Sequence, residues 1–273
     1  MTAEHVDRKQ LKADTKELFR TAQVSPKGMA ALYLGLGMLL NLVDSFANRG
    51  SDGFPSPLGL FVTILTAFLS TVLGAGFILY CMAIRRGERA EYGTLFDGFA
   101  FVGRIIALEL VMSLFVLLWS MLFIVPGIVA AYRYRFAMYN LCENPGVGVM
   151  EALDMSKRQT LGYKSQLFVL DWSYFGWQVL CIFPTLIILG CLIGAVVQVD
   201  NYAPWDLVLY FQQLFFWTVL AAVWAFVTAL FYRPNYQCVE LGYFETAKRT
   251  SGVGLCQEPP RLEEDSDSGW GQM

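Results

Sequence analysis

Apart from Asp44 near the end of one run, four ionisable residues of this 273-residue chain fall inside apolar stretches: Glu109, Arg133, Arg135 and Asp171. A charge held in hydrocarbon costs from about 2.5 kcal/mol upward, so such a residue snorkels, finds a partner or serves a function. Counted from the nearest polar flank at about 1.5 Å per residue, Glu109 and Asp171 lie about 6 Å deep, Arg135 about 10 Å and Arg133 about 13 Å. Two acids and two bases from three helices sum to zero, which is the balance a mutually paired buried cluster needs. Arg133 and Arg135 are two apart, roughly 200° around a helix, so they cannot both face one partner. The expectation is a structural cluster that pins neighbouring helices, with at least one arginine turned to lipid headgroups or another helix. A substrate or ion pathway through the cluster is the alternative.

Other chemistry is sparse. The single histidine is His5, the six cysteines (Cys81, Cys142, Cys181, Cys191, Cys238, Cys256) form no CxxC pair, and acids in the polar segments, such as Glu88, Asp97 and Asp154, stand alone. A zinc or redox centre needs clustered ligands, and an enzyme needs a nucleophile with a base, a metal set or a carboxylate pair, so we expect no catalysis, no metal and no cofactor. All six cysteines read as reduced thiols. Gly-rich phosphate loops are absent. A formal charge of −3 with 20 basic against 23 acidic residues argues against nucleic acid. The polar segments do carry Arg85, Arg86, Arg89, Lys157 and Arg158, which are candidates for contact with lipid phosphates. Asp44 closes an apolar run and reads as exposed. Gly190 and Gly194 form a GxxxG that more often serves packing within one chain than a dimer. Trp172, Trp177, Trp205, Tyr163 and Tyr202 fall where interfacial anchors belong.

The elements that position these residues follow from composition. Hydrophobic residues make up 56% of the chain and charged ones 16%, against ~25% charged in soluble domains. Mean hydropathy is +0.47. Crossing ~30 Å of hydrocarbon takes about 20 apolar residues in a helix. The stretches 29–47, 58–84, 105–125, 127–142, 167–197 and 207–232 qualify, giving an all-α polytopic membrane protein of about six transmembrane helices. Pro126-Gly127 splits the long run 105–141 into a hairpin. Its second arm, only 16 residues with two arginines, either crosses fully or is re-entrant. With both termini inside, seventeen Lys and Arg lie on the cytoplasmic face, two in the hairpin and Arg49 alone outside, as the positive-inside rule requires.

Two amphipathic surface helices complete the plan. Residues 1–27 form a basic segment in which Leu11, Thr15, Leu18, Phe19 and Ala22 recur opposite Arg8, Lys9, Lys12, Lys16 and Arg20, the pattern of a helix lying on an anionic inner membrane surface. Residues 147–160 form the second, after the turn at Asn144-Pro145-Gly146. No cleavable signal sequence precedes the first span. The spanning domain covers 28–233. Residues 234–273 read as a cytoplasmic tail, disordered and acidic beyond about 250.

Several segments resemble the bacterial family known as domain of unknown function 975, integral membrane proteins found mostly in low-GC Gram-positive bacteria. The residues are RKQLKADTKELF (8–19), LFDGF (95–99), FIVPGIVAAYRYRFAMYNLCENP (123–145) and EALDMSKRQTLGYKSQLFVLDWSYFGW (151–177). The family is also distantly similar to the membrane domain attached to some glycerophosphodiester phosphodiesterases. After Phe19 the chain reads TAQVSPKG where family members carry a Gly-Asn-Trp segment, which alters the approach to the first span. The resemblance implies a bacterial plasma-membrane location and a multi-helix fold, and brings no catalytic residues or cofactor.

The expected function is a non-enzymatic membrane scaffold or regulatory component. Its basic inner face would meet anionic lipid headgroups, with a protein partner or a second copy of the chain as the other candidate. A small-molecule permease or lipid-handling transporter is the alternative, although only the Pro126 break suggests one.

Overall fold

The computed structural model describes residues 4, 6–49, 56–197 and 204–254, leaving aside the side chains of residue 191 and of 194–211. Helix α1 (Arg8–Thr21) starts where the Asp7 carboxylate accepts the Lys9 backbone N–H at 2.9 Å. Helices α2 (Pro26–Ala47) and α3 (Pro57–Arg86) both begin at proline, whose missing donor is harmless in a first turn. Gly87, with φ of 72°, ends α3 in the left-handed conformation. A 3-10 segment, Tyr92–Phe101, leads into α4 (Val102–Leu122). It lies directly on α3 because Gly76 and Gly98 lack side chains. A Cβ at Gly76 would run into the Leu95 carbonyl, and one at Gly98 would reach the Val72 carbonyl at 2.8 Å.

At Phe123 the chain turns through extended backbone and reverses. Helix α5 (Ile124–Tyr134) folds back along α4, with Gly127 against Ser120 and the Phe115 and Tyr134 rings stacked at 5.9 Å. Of the two courses expected for 127–142, a full crossing or a re-entrant arm, a continuous sixth spanning helix does not form. The return arm is broken at Arg135-Phe136 into α5 and a seven-residue α6 (Ala137–Glu143), neither long enough to span. The break survives away from water because α7 (Val149–Gln159) supplies the missing partners. The Ser156 hydroxyl donates to the Arg133 carbonyl at 2.9 Å and accepts the Phe136 N–H at 3.1 Å.

Helices α8 (Lys164–Val197) and α9 (Pro204–Ser251) complete the chain. Among the described residues five segments are long and apolar enough to cross a membrane: Pro26–Ala47, Pro57–Arg86, Tyr92–Leu122, Lys164–Gly190 and Gln212–Ser251. The broken arm still brings the chain back, since Glu143 pairs with Arg86 and with Lys248 at the end of the bundle that holds α1. The segment before α1 and the last turn of α9 meet there, joined by Arg249 and Glu4 at 3.3 Å.

Burial divides the molecule into two zones. The core is concentrated at this basic end, around Tyr80, Leu95, Phe136, Leu153, Tyr243 and Phe244. Toward the other end large apolar side chains are exposed in every long helix, between residues 38–46, 58–65, 110–129, 168–193 and 215–231. Apolar exposure on this scale needs hydrocarbon around it. The belt starts at the level of Glu109, Asp171 and Arg233, about one turn from Arg133.

Two further expectations change. Residues 234–251 are not a tail. They continue α9 into the core, because Cys238, Leu241 and Phe244 on one side and Val239, Tyr243 and Ala247 on the other recur at helical spacing and are buried. The stretch expected to be disordered and acidic lies mostly outside the described residues. Helix α1, in turn, does not bury its apolar stripe in lipid. Leu11, Leu18, Phe19 and Ala22 pack on the protein core and Thr15 is fully buried. Leu11 fills the notch at Gly242 of α9, where a Cβ would meet it at 2.7 Å.

Candidate functional site

The break at Arg135 puts its guanidinium at the edge of the apolar belt, between α8 and α9. Nη1 and Nη2 donate to the two oxygens of Asp171 at 2.7 and 2.8 Å, and Nε donates to Glu240 Oε1 at 2.5 Å. Tyr132 and Tyr236 each donate their hydroxyl to Asp171 at 2.6 Å, and Arg135 Nη2 also reaches the Tyr236 oxygen. The Tyr236 ring meets Tyr174 edge to face at 5.2 Å, and Gln237 donates to the Tyr139 hydroxyl one turn on. Side-chain exposure is 17% for Arg135, 28% for Asp171 and 7% for Glu240. A fork of guanidinium donors matched to a carboxylate is the strongest geometry for such a pair, and here every charged group has partners from the same chain.

Of the four residues expected to cluster, the structure brings together Arg135 and Asp171 alone. Arg133 is exposed and points away, as the 200° separation requires. Glu109 is partly exposed and makes no hydrogen bond or ion pair among the described residues. The second acid is Glu240, which sequence reasoning placed in the tail. Its signal was the apolar periodicity running past Arg233, which makes 238–247 a buried helical face and puts Glu240 inside it.

The cations expected to meet lipid phosphate are mostly engaged with acids. Arg85 grips Glu245 through two bonds of 2.9 and 2.5 Å, and Arg86 pairs with Glu143 at 3.1 Å. Lys157 and Arg158 both lean on Asp154, at 3.0 and 3.7 Å, and the Lys157 hydrogen bond holds the Asp154 carboxyl below the usual carboxylate range. Arg89 alone of the five has no such pairing among the described residues. Next to this group, Asn140 and Gln159 exchange two amide hydrogen bonds of 2.8 and 2.9 Å and tie α6 to α7, with both side chains buried. A polar cleft of about 700 Å³ opens beside them, lined by Glu143, Glu151, Asp154 and Arg158.

Elsewhere in the bundle, Asp44 accepts the Thr63 hydroxyl at 2.5 Å and an Asn48 amide, and so helps join α2 to α3. Gly190 faces open space, and the surroundings of Gly194 lie outside the described residues. Trp172 and Trp177 are exposed in the belt, whereas Tyr163 is buried and its hydroxyl accepts the Glu4 N–H at 3.2 Å, so it anchors the N-terminus to α8 and not to lipid. Tyr202, Cys256 and His5, with the side chains of Trp205 and Cys191, lie outside the described residues. Cys81, Cys142, Cys181 and Cys238 carry free thiols.

No curated protein and no solved structure matches the chain. Residues 124–216, which hold the broken arm, α7 and the Asp171 helix, match the family described as Protein of unknown function (DUF975), and over that third of its length the chain is similar to that family.

Proposed function

We propose that this protein is a non-enzymatic, multi-pass component of a bacterial plasma membrane, a scaffold or regulator whose basic end lies on the cytoplasmic side and engages anionic lipid headgroups. The observation that carries the reading is a difference between two sets of charges. Those at the edge of the belt, Arg135, Asp171 and Glu240, satisfy one another, as structural charges do. By contrast Lys9, Lys16, Arg20, Arg89, Arg104 and Arg133 make no ion pair among the described residues and are all exposed. Each such cation near an anionic leaflet gains about 1 kcal/mol, which favours a membrane-facing role for this end.

The broken α5–α6 arm favours a second reading, a permease, since interrupted helices often build transport sites. Against it, the backbone at the break is satisfied by Ser156 and not left open to a solute. Lipid analysis of the purified protein separates the two. Enrichment of phosphatidylglycerol or cardiolipin over bulk membrane supports the first reading. Solute flux through the protein reconstituted in liposomes, lost on mutation of Arg135 in a folded variant, would replace it with the second.

A further inference from the structure

Helix α1 lays two cations on α8 where the apolar belt begins. Arg8 Nη1 donates to the Val169 carbonyl at 3.3 Å, and Lys12 Nζ donates to the Ser173 hydroxyl oxygen at 2.7 Å. Val169 and Ser173 are four apart and share one face of α8. One residue before each stand Phe168 and Trp172, which with Phe175 build an exposed ladder of rings. Their centroids are 6.4 and 5.2 Å apart, and the Trp172 and Phe175 planes differ by 2°. Two stripes therefore adjoin on α8, one of bare aromatic rings and one covered by a guanidinium and an ammonium.

Both cations face neutral acceptors. Asp7, next to Arg8, is occupied by the Lys9 N–H, and Asp171, between the two contact points on α8, is held by Arg135, Tyr132 and Tyr236. The Lys12 ammonium rests 4.3 Å from the centre of the Tyr174 ring. Burial and the nearby Arg8 charge lower its proton affinity from that of an ordinary lysine. Two like charges thus stand side by side where the belt begins, each donating to a neutral oxygen and neither in an ion pair among the described residues.

We propose that Arg8 and Lys12 clamp the phosphate of an anionic phospholipid, whose headgroup sits between α1 and α8 and whose acyl chain lies along Phe168, Trp172 and Phe175. The proposal rests on the basic-end reading above and assigns it a residue-level site. Guanidinium and ammonium are the two side-chain groups best suited to phosphate oxygens, the first as a fork and the second as a point charge. Tryptophan favours the headgroup level, where its ring is apolar and its N–H wet. Free phosphate offers the same oxygens, but the ring ladder would gain nothing from it.

The test uses the full-length protein in neutral detergent, titrated with phosphatidylglycerol, phosphatidylcholine or inorganic phosphate, and reads bound lipid by native mass spectrometry and melting temperature. R8Q/K12Q is compared with K157Q/R158Q, which removes the same charge from α7, where both cations are taken up by Asp154. Phosphatidylglycerol is expected to bind and stabilise the wild type and K157Q/R158Q, with affinity at least tenfold weaker in R8Q/K12Q than in either, and closer to wild type in R8K/K12R, which keeps both charges. Equal losses in the two charge-removing variants would overturn the site and leave the basic-end reading standing. No preference for phosphatidylglycerol in any form would overturn both. Equal stabilisation by inorganic phosphate would overturn the lipid assignment. Should R8Q/K12Q fail to fold, a phosphatidylglycerol with a photoreactive acyl chain decides on the wild type: adducts within 168–175 support the clamp, and adducts only elsewhere refute it.

Discussion

The Trp224 indole N–H donates to the Leu180 carbonyl at 3.0 Å, the carbonyl that Pro184 leaves without its helical donor. A proline in a helix removes the bond to the residue four before it, and in hydrocarbon no water takes its place. Tryptophan supplies that donor from the neighbouring helix, and so ties α9 to α8 at the floor of an apolar groove of about 570 Å³ between them. Replacing Trp224 by Phe should cost about 1 kcal/mol, the scale of an interhelical hydrogen bond within a membrane. In a Pro184→Ala background, where the substituted residue brings an N–H of its own, the same replacement should cost measurably less. Unfolding in mixed micelles of the four proteins of this cycle gives the coupling, and a coupling near zero would refute the compensation.

Arg135 makes a different demand, because removing it strands two carboxylates at once. Arg135→Gln should destabilise the protein by about 3 kcal/mol, as expected for breaking a buried pair by deleting one partner. Asp171→Asn combined with Arg135→Gln should cost less than the sum of the two. Glu109→Gln should instead be additive with Arg135→Gln, since Glu109 makes no contact with the network. Strong coupling between Glu109 and Arg135 in urea unfolding would show that the wrong acid has been assigned.

The contrast between Glu109 and Glu240 shows how far the sequence could be read. Hydropathy finds a helix in lipid because each turn repeats the same demand, so the long spans were legible. Pairing depends on rotation about the helix axis and on which helices adjoin, and neither leaves a mark in one sequence. The same gap explains α1. Its stripe of Leu11, Thr15, Leu18 and Phe19 reads identically whether its partner is lipid or protein, and only the notch at Gly242 decides for protein. The arginines of 85–89 were legible as a basic cluster, but Glu245, which engages Arg85, comes from the distant end of α9.

Ser156 holds the broken arm by both ends of the break, so its loss leaves an N–H and weakens a carbonyl's support in the core. Ser156→Ala should cost about 1–3 kcal/mol, the penalty for an unsatisfied buried group. Thr160 retains a longer bond to the Arg133 carbonyl at 3.3 Å, so the Phe136 N–H bears most of the damage. Amide exchange at Phe136 should accelerate in the variant while exchange in the middle of α3 stays slow. Equal acceleration in both would point to global loosening and not to the break.

Lys12 predicts a pH dependence with a defined sign. Its proton is held less tightly in the folded protein than in the unfolded chain, where the ordinary value is 10.5. Losing that proton therefore favours folding, and stability should rise as pH climbs through the folded value toward 10.5, then level off. The informative quantity is the difference between wild type and Lys12→Gln, in which contributions shared by both proteins cancel. In lipid-free detergent the wild type should gain on the variant as pH rises toward 10.5. Phosphatidylglycerol should shrink that gain, because an anion beside Arg8 and Lys12 stabilises the ammonium and raises its folded proton affinity. A wild-type curve parallel to that of Lys12→Gln in lipid-free detergent would mean that neither burial nor Arg8 strains the lysine.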